Sequence, residues 1–209
     1  MVQDHKSKRM TSRDVQAAER RQQILDIAKR LFAENGYHAT SMRELNKEIG
    51  MAEALTYHYF PGGKLEILKA VLQNAQEERM TSIVGFFTVT FHADLSLQTV
   101  LLNLIQGITE RIVNDRQYFQ ILIRERTLLE QEQKFALNEL AKQPFAAMST
   151  YLMKQFTQGY IREMDFPIAA SQFLSHIVVL IVQQIGNDRV MDQAEVERIV
   201  DFYVQLWSK

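Results

Sequence analysis

The chain has 209 residues, of which 46% are apolar and 23% charged, as in a globular protein of one large or two small domains. Its eight glycines and three prolines favour long helices over a turn-rich β fold, and the absence of cysteine excludes a disulfide framework. The first ten residues lack an apolar signal segment. The longest strongly apolar run, residues 177–182, is too short to span a bilayer, so we expect a cytoplasmic protein without membrane contact.

Charge is distributed unevenly along the chain. Residues 1–70 contain twelve Lys and Arg against nine Asp and Glu, whereas residues 71–209 contain twelve against sixteen. A basic N-terminal third suits a protein that presents one end to phosphates. The first basic side chains follow no apolar periodicity, and they suit either a solvated tail or an arm that reaches DNA. They are Lys6, Lys8, Arg9 and Arg13.

A first helix is predicted over about residues 14–34, because its apolar side chains recur at three- and four-residue steps. Asn35 and Gly36 should end it, since both tolerate left-handed backbone. The apolar positions on its buried face are Ile24, Leu25, Ala28, Leu31 and Phe32.

Two short helices are predicted next, at about residues 42–49 and 52–59, joined by a glycine turn. Thr40 and Ser41 should cap the first of them, and Glu44 follows Ser41 at the spacing of a capping box. A short helix held at a steep angle to its neighbour can enter the major groove of DNA.

Several residues of this region match a known pattern in order: Leu31, Phe32, Gly36, Tyr37, Thr40, Ser41, Gly50, Tyr57, Phe60 and Lys64. With them, residues 21–68 resemble the N-terminal DNA-binding domain of the TetR family of bacterial transcriptional regulators. The chain departs from the family pattern at Asn46, where a small residue is usual, at Ala54 (usually Gly), at Thr56 (usually Leu) and by an extra glycine after Pro61. These departures bear on the angle of the third helix.

The resemblance implies an all-α chain of about nine helices, with an N-terminal arm and DNA-binding domain over residues 1–64 and an effector-binding and dimerisation domain over residues 65–209. It also implies a ligand-responsive regulator, most simply a repressor, that binds a palindromic operator as a homodimer. The alternative is a helical interaction protein that no longer recognises DNA, for which Glu53 and Leu55 are the best argument. The operator, the regulated genes and the effector stay open.

The two short helices also suggest how DNA would be held. Thr40 and Ser41 can offer N–H groups and hydroxyls to a phosphate, and Glu53 can accept a hydrogen bond from a cytosine amino group. The positions predicted to contact bases are Ala52, Glu53, Ala54 and Leu55, with help from Arg43. The resemblance implies phosphate contacts for Tyr57, His58, Tyr59 and Lys64.

The same periodicity predicts the remaining helices. One should begin at Lys64 and run long, to about residue 91. Its far end, residues 81–91, is ambiguous because β-branched and aromatic residues crowd there, and the context favours a helix. Others are predicted at about residues 95–114, 117–129, 133–158, 168–185 and 193–207. Pro144 lies inside one of them, and we expect a kink or a break there.

A small effector, largely apolar or aromatic, is expected to bind in this second domain. It should act through the long helix that begins at Lys64 and change the distance between the two recognition helices. An acidic group on the effector could meet Arg124. An aromatic side chain at helical spacing belongs more often to the core than to a pocket. The candidate pocket residues are Phe87, Phe91, Asn103, Gln106, Phe119, Arg124, Tyr151, Gln155 and Phe156.

The last two helices are apolar over much of their circumference, which indicates either core or an interface. We expect a second copy of the chain to pack there, with burial inside one subunit accounting for about half of the stripe. The predicted interface residues are Phe173, Ile177, Ile181, Ile185, Ile199, Tyr203 and Leu206.

Nothing in the sequence favours catalysis. The five histidines occur singly, without the HExxH spacing that places two imidazoles on one helix face. Gly62, Gly63 and Lys64 lack the first glycine and the Ser or Thr of a phosphate-binding loop. We therefore predict no catalytic residues, no metal and no cofactor.

Overall fold

The computed structural model describes residues 11–74, 76–92, 95–128, 131–187 and 191–209. Within these ranges the chain forms ten α-helices and one 3-10 turn, and the only β pairing is an isolated bridge between Ile161 and Ser208. The all-α fold class is thereby confirmed, with one helix more than predicted. The chain divides into two compact units, which we call the head (Met1–Asn74) and the body (Ala75–Lys209).

Four helices form the head: α1 (Ser12–Asn35), α2 (Met42–Ile49), α3 (Glu53–Tyr59) and α4 (Gly63–Gln73). The first begins slightly before its predicted start, because Thr11 and Asp14 form a capping box. It packs on α2 and α4. The apolar face predicted for this helix is buried, together with Leu45, Phe60, Ile67, Leu68 and Val71.

The predicted single helix from Lys64 to about residue 91 is wrong. The Asn74 N–H closes α4 on Ala70 O at 2.8 Å, and the backbone of Asn74 then leaves the helical region, with ψ at 121°. A separate helix, α5 (Gln76–His92), follows.

The body continues with α6 (Leu97–Asn114), α7 (Arg116–Arg124), α8 (Gln131–Thr157), α9 (Phe166–Asn187) and α10 (Gln193–Trp207). The seventh helix is shorter than predicted, and a 3-10 turn (Arg126–Leu128) follows it. The eighth runs through Pro144 without the break that the sequence suggested. It packs against α5 and α9, while α6 packs against α10.

By length and composition alone, residues 166–186 of α9 could cross a membrane, since their mean hydropathy is 1.6. The uninterrupted apolar run on which the expectation of no membrane contact rests, residues 177–182, is only part of this helix. Of an 18-residue apolar stretch of the helix, 39% is buried within the chain, and one face belongs to the core. Phe173 packs edge-on against Tyr203 of α10, with 5.0 Å between ring centroids. A core helix of a water-soluble protein has the same composition.

Candidate nucleic-acid interface

The turn between α2 and α3 depends on a left-handed glycine. Gly50 has φ 70° and ψ 34°, a conformation that residues with a Cβ rarely adopt, and Met51 N–H donates to Asn46 O at 3.1 Å. On the far side of the turn, Thr56 of α3 is fully buried and hydrogen-bonds to the Asn46 side chain. The angle of α3 is thus fixed from inside the head.

The outer face of α3 is open to solvent. All four residues predicted to contact bases are exposed, namely Ala52, Glu53, Ala54 and Leu55. Leu55 is 43% exposed. By contrast, Thr56 and Phe60 anchor the inner face with no exposed area. The helix therefore presents a short, mostly apolar surface with a single carboxylate.

The two hydroxyl residues before α2 have different environments. Ser41 is exposed, and its Oγ accepts the Glu44 N–H at 3.1 Å, so its own hydroxyl proton remains available to an anion. The capping box is only half formed, because the Glu44 carboxylate accepts from Asn35 Nδ2 at 3.2 Å.

Thr40, in contrast, is fully buried, and its hydroxyl donates to Gly36 O at 2.9 Å. The phosphate contact predicted for Thr40 is corrected on this ground, since its hydroxyl and its backbone N–H are both used inside the head.

Lys64 also has partners inside the head. Its Nζ donates to Tyr37 O and to Thr40 O, each at 2.8 Å, and it lies 4.3 Å from the centroid of the Tyr37 ring. The ammonium therefore ties the first turn of α4 to the loop between α1 and α2. Sequence analysis missed this contact, because nothing local relates Lys64 to two carbonyl oxygens more than twenty residues away.

The aromatic residues at the end of α3 remain accessible. Tyr57 is 40% exposed, His58 is exposed and Tyr59 is half-buried. The Tyr57 ring lies against Gly63, whose φ is 63°, and a Cβ there would come within 3.1 Å of Tyr57 Cε1. The extra glycine is thus required both by its backbone conformation and by the close approach of this ring.

A basic groove lies beside the exposed start of α1. Residues 12–23 are all exposed, and an open groove of about 640 Å³ lies between this part of α1 and Tyr59. Its other lining residues are Arg13, Gln16, Ala17, Glu19, Arg20 and Gln23. Arg13 therefore belongs to a helix and not to a tail, whereas Lys6, Lys8 and Arg9 lie outside the described residues.

Residues 24–71, which contain α2, α3 and their supports, match the model of the bacterial regulatory proteins, tetR family. These residues of the head form a TetR-family DNA-binding domain. The resemblance seen in residues 21–68 is thereby confirmed.

Three relatives match over 58 to 68 residues of this chain. The HTH-type transcriptional regulator YxaF of Bacillus subtilis is 45% identical over 58 residues, 28% of each chain. The repressor Rv1474c of Mycobacterium tuberculosis is 39% identical over 68 residues, 32% of this chain and 35% of that protein. The activator FasR of Mycolicibacterium smegmatis is 35% identical over 65 residues, 31% of this chain and 29% of that protein. The matched region thus spans only about a third of each relative.

Solved structures match nearly the whole chain. A tetR-family regulatory protein from Rhodococcus RHA1 has a TM-score of 0.67 at 17% identity and covers 91% of this chain and 97% of its own. AibR, solved with isovaleryl coenzyme A and operator DNA, has a TM-score of 0.61 at 20% identity. The match covers 90% of this chain and 97% of AibR. FadR of Bacillus subtilis, solved with stearoyl-CoA, has a TM-score of 0.58 at 21% identity. The match covers 88% of this chain and 96% of FadR. At these identities the likeness establishes the fold.

The relatives are transcriptional regulators, and the expectation that the chain is not an enzyme is confirmed on that ground. Among the described residues, no group of three or more His, Asp or Glu side chains could hold a metal ion. The described residues offer instead an exposed helix face on the head and, in the body, a cavity and apolar faces.

Only some of the predicted effector-pocket residues come together. Phe91 lies 5.5 Å from Tyr151 and 6.0 Å from Phe87, centroid to centroid, and all three are buried. Burial raises the pKa of Tyr151 to about 12, and its hydroxyl has no hydrogen-bond partner in the described part of the chain. Gln155 is buried one turn further along α8.

The other pocket candidates are dispersed. Phe156 packs on Phe166, Gln106 bonds to Gln193 at an exposed position, Arg124 is exposed and Asn103 is half-buried. Phe119 is the one predicted pocket residue that lines a cavity of about 220 Å³ between α5, α6 and α7.

The predicted dimer interface also needs a correction. Phe173, Ile177, Ile181 and Tyr203 are at most 7% exposed within a single chain, so they fill its own core and offer no surface to a partner. Ile185, Ile199 and Leu206 are half-buried. The large apolar side chains that α9 and α10 do expose are different ones: Ile168 (56%) at the start of α9, and Val178 (52%), Val179 (53%), Val182 (46%) and Phe202 (59%) further along.

Proposed function

We propose that this chain is a ligand-responsive transcriptional regulator, most simply a repressor, that binds a palindromic operator as a homodimer. The observation that carries the proposal is the outward face of α3, where Glu53 and Leu55 are exposed while Thr56 and Phe60 anchor the opposite side. A short helix held rigidly from behind and uncovered in front has the geometry of a recognition helix.

The exposed residues around α3 can divide the contacts with DNA. Ser41, which caps α2, and Arg43 on α2 are both exposed and are placed to hold phosphates together with Tyr57 and His58. Glu53 can accept from a cytosine amino group, and Leu55 can contact a thymine methyl. Because this set lacks bidentate donors, sequence-dependent DNA shape should contribute much of the specificity.

The homodimer would form through the exposed face of α9 and α10. Val178, Val179 and Val182 lie on α9, and Phe202 adds an aromatic ring on α10. Burying one such side chain contributes about 1.5–3 kcal/mol, so a symmetric contact doubles each gain. Two heads in this dimer would bind successive major grooves, about 34–36 Å apart, on one face of the operator.

The effector would be a small, largely apolar or aromatic molecule that binds in the body. Two proteins of similar fold were solved with acyl coenzyme A molecules, which supports an effector with an apolar chain. It would favour the DNA-incompetent state and so release the operator. One of the relatives, FasR, is a transcriptional activator. Whether this chain represses or activates transcription is therefore to be determined by experiment. A cytoplasmic location accords with a DNA-binding function.

The test is selection of operator fragments from the genome, followed by fluorescence anisotropy with the selected palindrome and a scrambled duplex at two salt concentrations. We expect tight binding of the palindrome by wild type. Leu55→Asp should abolish it, whereas Glu163→Ala, at an exposed position of the body, should leave it unchanged. Equal affinity for both duplexes, or selection of no fragment, would favour the helical interaction protein instead.

A further inference from the structure

The body contains a cavity whose lining carries more charge than the sequence suggested. It has a volume of about 220 Å³ and lies where α5, the end of α6 and the start of α7 meet. The residues that line it are Arg79, Ser82, Ile83, Arg111, Asp115 and Phe119. Two guanidinium groups thus face one carboxylate next to an aromatic and an aliphatic side chain.

Arg79 is already compensated. It forms an ion pair with Asp115, and its guanidinium lies 4.2 Å from the centroid of the Tyr118 ring. Both members of the pair are only about a fifth exposed, which limits screening of this contact by water. Arg79 and Asp115 therefore form a neutral unit on one side of the cavity.

Arg111 is held firmly but has no carboxylate partner among the described residues. Its Nη1 donates to Gly107 O at 2.9 Å, and its guanidinium lies 4.1 Å from the centroid of the Phe86 ring. The buried Nε–H has no acceptor in the described part of the chain. A guanidinium carries five N–H donors, so most of its hydrogen-bonding capacity is unused.

Gly107 makes this arrangement possible. A Cβ at Gly107 would collide with the Phe86 ring and would lie 3.3 Å from Arg111 Nη1. The absence of a side chain lets the ring of α5 reach the backbone of α6 and support the guanidinium. Arg111 is therefore a rigid, positioned cation, which binds an anion with less loss of side-chain entropy than a mobile surface arginine does.

We propose that this cavity binds the anionic head group of a small organic acid, a carboxylate or a phosphate, with Arg111 as its charge partner. The inference rests on the proposed ligand-responsive function and gives the class of its effector. The lining carries one net positive charge, which a monoanion balances. Phe119 and Ile83 would contact the apolar part next to the head group. Since drug-sized pockets measure about 300–1,000 Å³, the cavity suits a head group or a small acid.

The experiment measures anion binding to the full-length chain without DNA, by calorimetry and by thermal shift. The probes are benzoate, octanoate and inorganic phosphate, with benzyl alcohol and octanol as neutral counterparts. We expect at least one anion to bind and to raise Tm, and its neutral counterpart to bind at least about tenfold more weakly. Binding of phosphate but of neither carboxylate would identify a phosphate as the head group.

Variants then place the site. Arg111→Gln should weaken binding of that anion at least about tenfold, and Arg198→Gln, an exposed arginine of α10, should not change it. Asp115→Asn removes the carboxylate that competes with the anion in the cavity, so it should strengthen binding. This second variant tests the site even if Arg111→Gln does not fold. Binding of no anion, equal binding of a neutral counterpart, or loss of affinity in Arg124→Gln but not in Arg111→Gln would overturn the proposal.

Operator binding by wild type and by Arg111→Gln is measured separately, without anion. Unchanged operator affinity in the variant shows that the head is intact. A wild type that binds the anion and no DNA would defeat the proposed regulatory function and leave the anion site standing. Wild-type protein that binds operator and no anion would defeat the anion site and leave the proposed DNA-binding function standing.

Discussion

Thr56 Oγ1 donates a hydrogen bond to Asn46 Oδ1 at 2.5 Å, and both side chains are buried between α2 and α3. Both residues depart from the TetR pattern: Asn46 stands where the family usually has a small residue, and Thr56 stands where it usually has leucine. Each polar substitution satisfies the other, so the pair replaces an apolar contact with a directed one. Asn46 Nδ2 has no partner among the described residues, so the compensation is incomplete.

Thr56→Val should therefore lower the free energy of unfolding by about 1–3 kcal/mol, because it leaves the buried Asn46 amide without its partner. The double variant Asn46→Ala, Thr56→Leu should recover most of that loss, and urea denaturation measures both. With the single variants Asn46→Ala and Thr56→Leu, the double variant completes a double-mutant cycle. Additive effects in this cycle would show that the two side chains do not depend on each other.

Lys64→Met should lower the free energy of unfolding by about 1–3 kcal/mol, since Tyr37 O and Thr40 O lose a charged donor. Operator affinity should fall, but its salt dependence should keep the same slope, because no phosphate contact is removed. Lys154→Met, at an exposed position of the body, is the matched control. A slope reduced by about one would mean instead that Lys64 contacts a phosphate.

Neighbouring residues of α9 should respond differently to aspartate. Val182 is 46% exposed, so Val182→Asp should leave a folded monomer, because it places a charge only in the proposed dimer contact. Ile181 is 7% exposed, so Ile181→Asp should unfold the body. Circular dichroism and analytical ultracentrifugation separate the two results. A Val182→Asp variant that sediments with the same mass as wild type would place the dimer contact elsewhere.

Glu53→Ala should relax the preference at one base pair in each half-site and leave the others unchanged, since a single acceptor contacts a single base. Anisotropy against a set of operators with single base-pair substitutions measures this. A uniform gain in affinity across the whole set would identify Glu53 as a repulsive charge near the phosphates, without a part in specificity.

Stability at alkaline pH should depend on Tyr151. Burial raises its pKa from 10.0 to about 12. Above pH 10 the tyrosine therefore loses its proton in the unfolded chain while it keeps it in the folded chain, which stabilises the unfolded state relative to the folded one. The stability contributed by Tyr151 is thus fully present below pH 10 and lost by about pH 12. Between these values Tyr151→Phe should lose stability less steeply than wild type. At pH 7 it should be at least as stable, because the hydroxyl has no described partner.

The sequence by itself determined the head and most of the helices. Helical periodicity and glycine turns are local signals, because side chains three and four residues apart share one face and a left-handed turn requires glycine. Residues 42–49 were assigned to a helix with the bounds that the structure has, and the exposed outer face of α3 follows from its spacing. The end of α4 at Gln73 was missed, since the segment around Asn74 remains compatible with a helix until ψ at that residue is known.

Only the tertiary structure decided which of two apolar stripes on α9 is core. Ile181 and Val182 are both large apolar residues, so the sequence does not distinguish them. Ile181 is buried because α8 and α10 cover its side of α9, whereas Val182 lies on the uncovered side. The same limit applies to Lys64 and to Arg111, whose partners are set by the fold and not by residue type. Long polar side chains reach whatever acceptor packing brings within hydrogen-bond distance, and no local pattern records that acceptor.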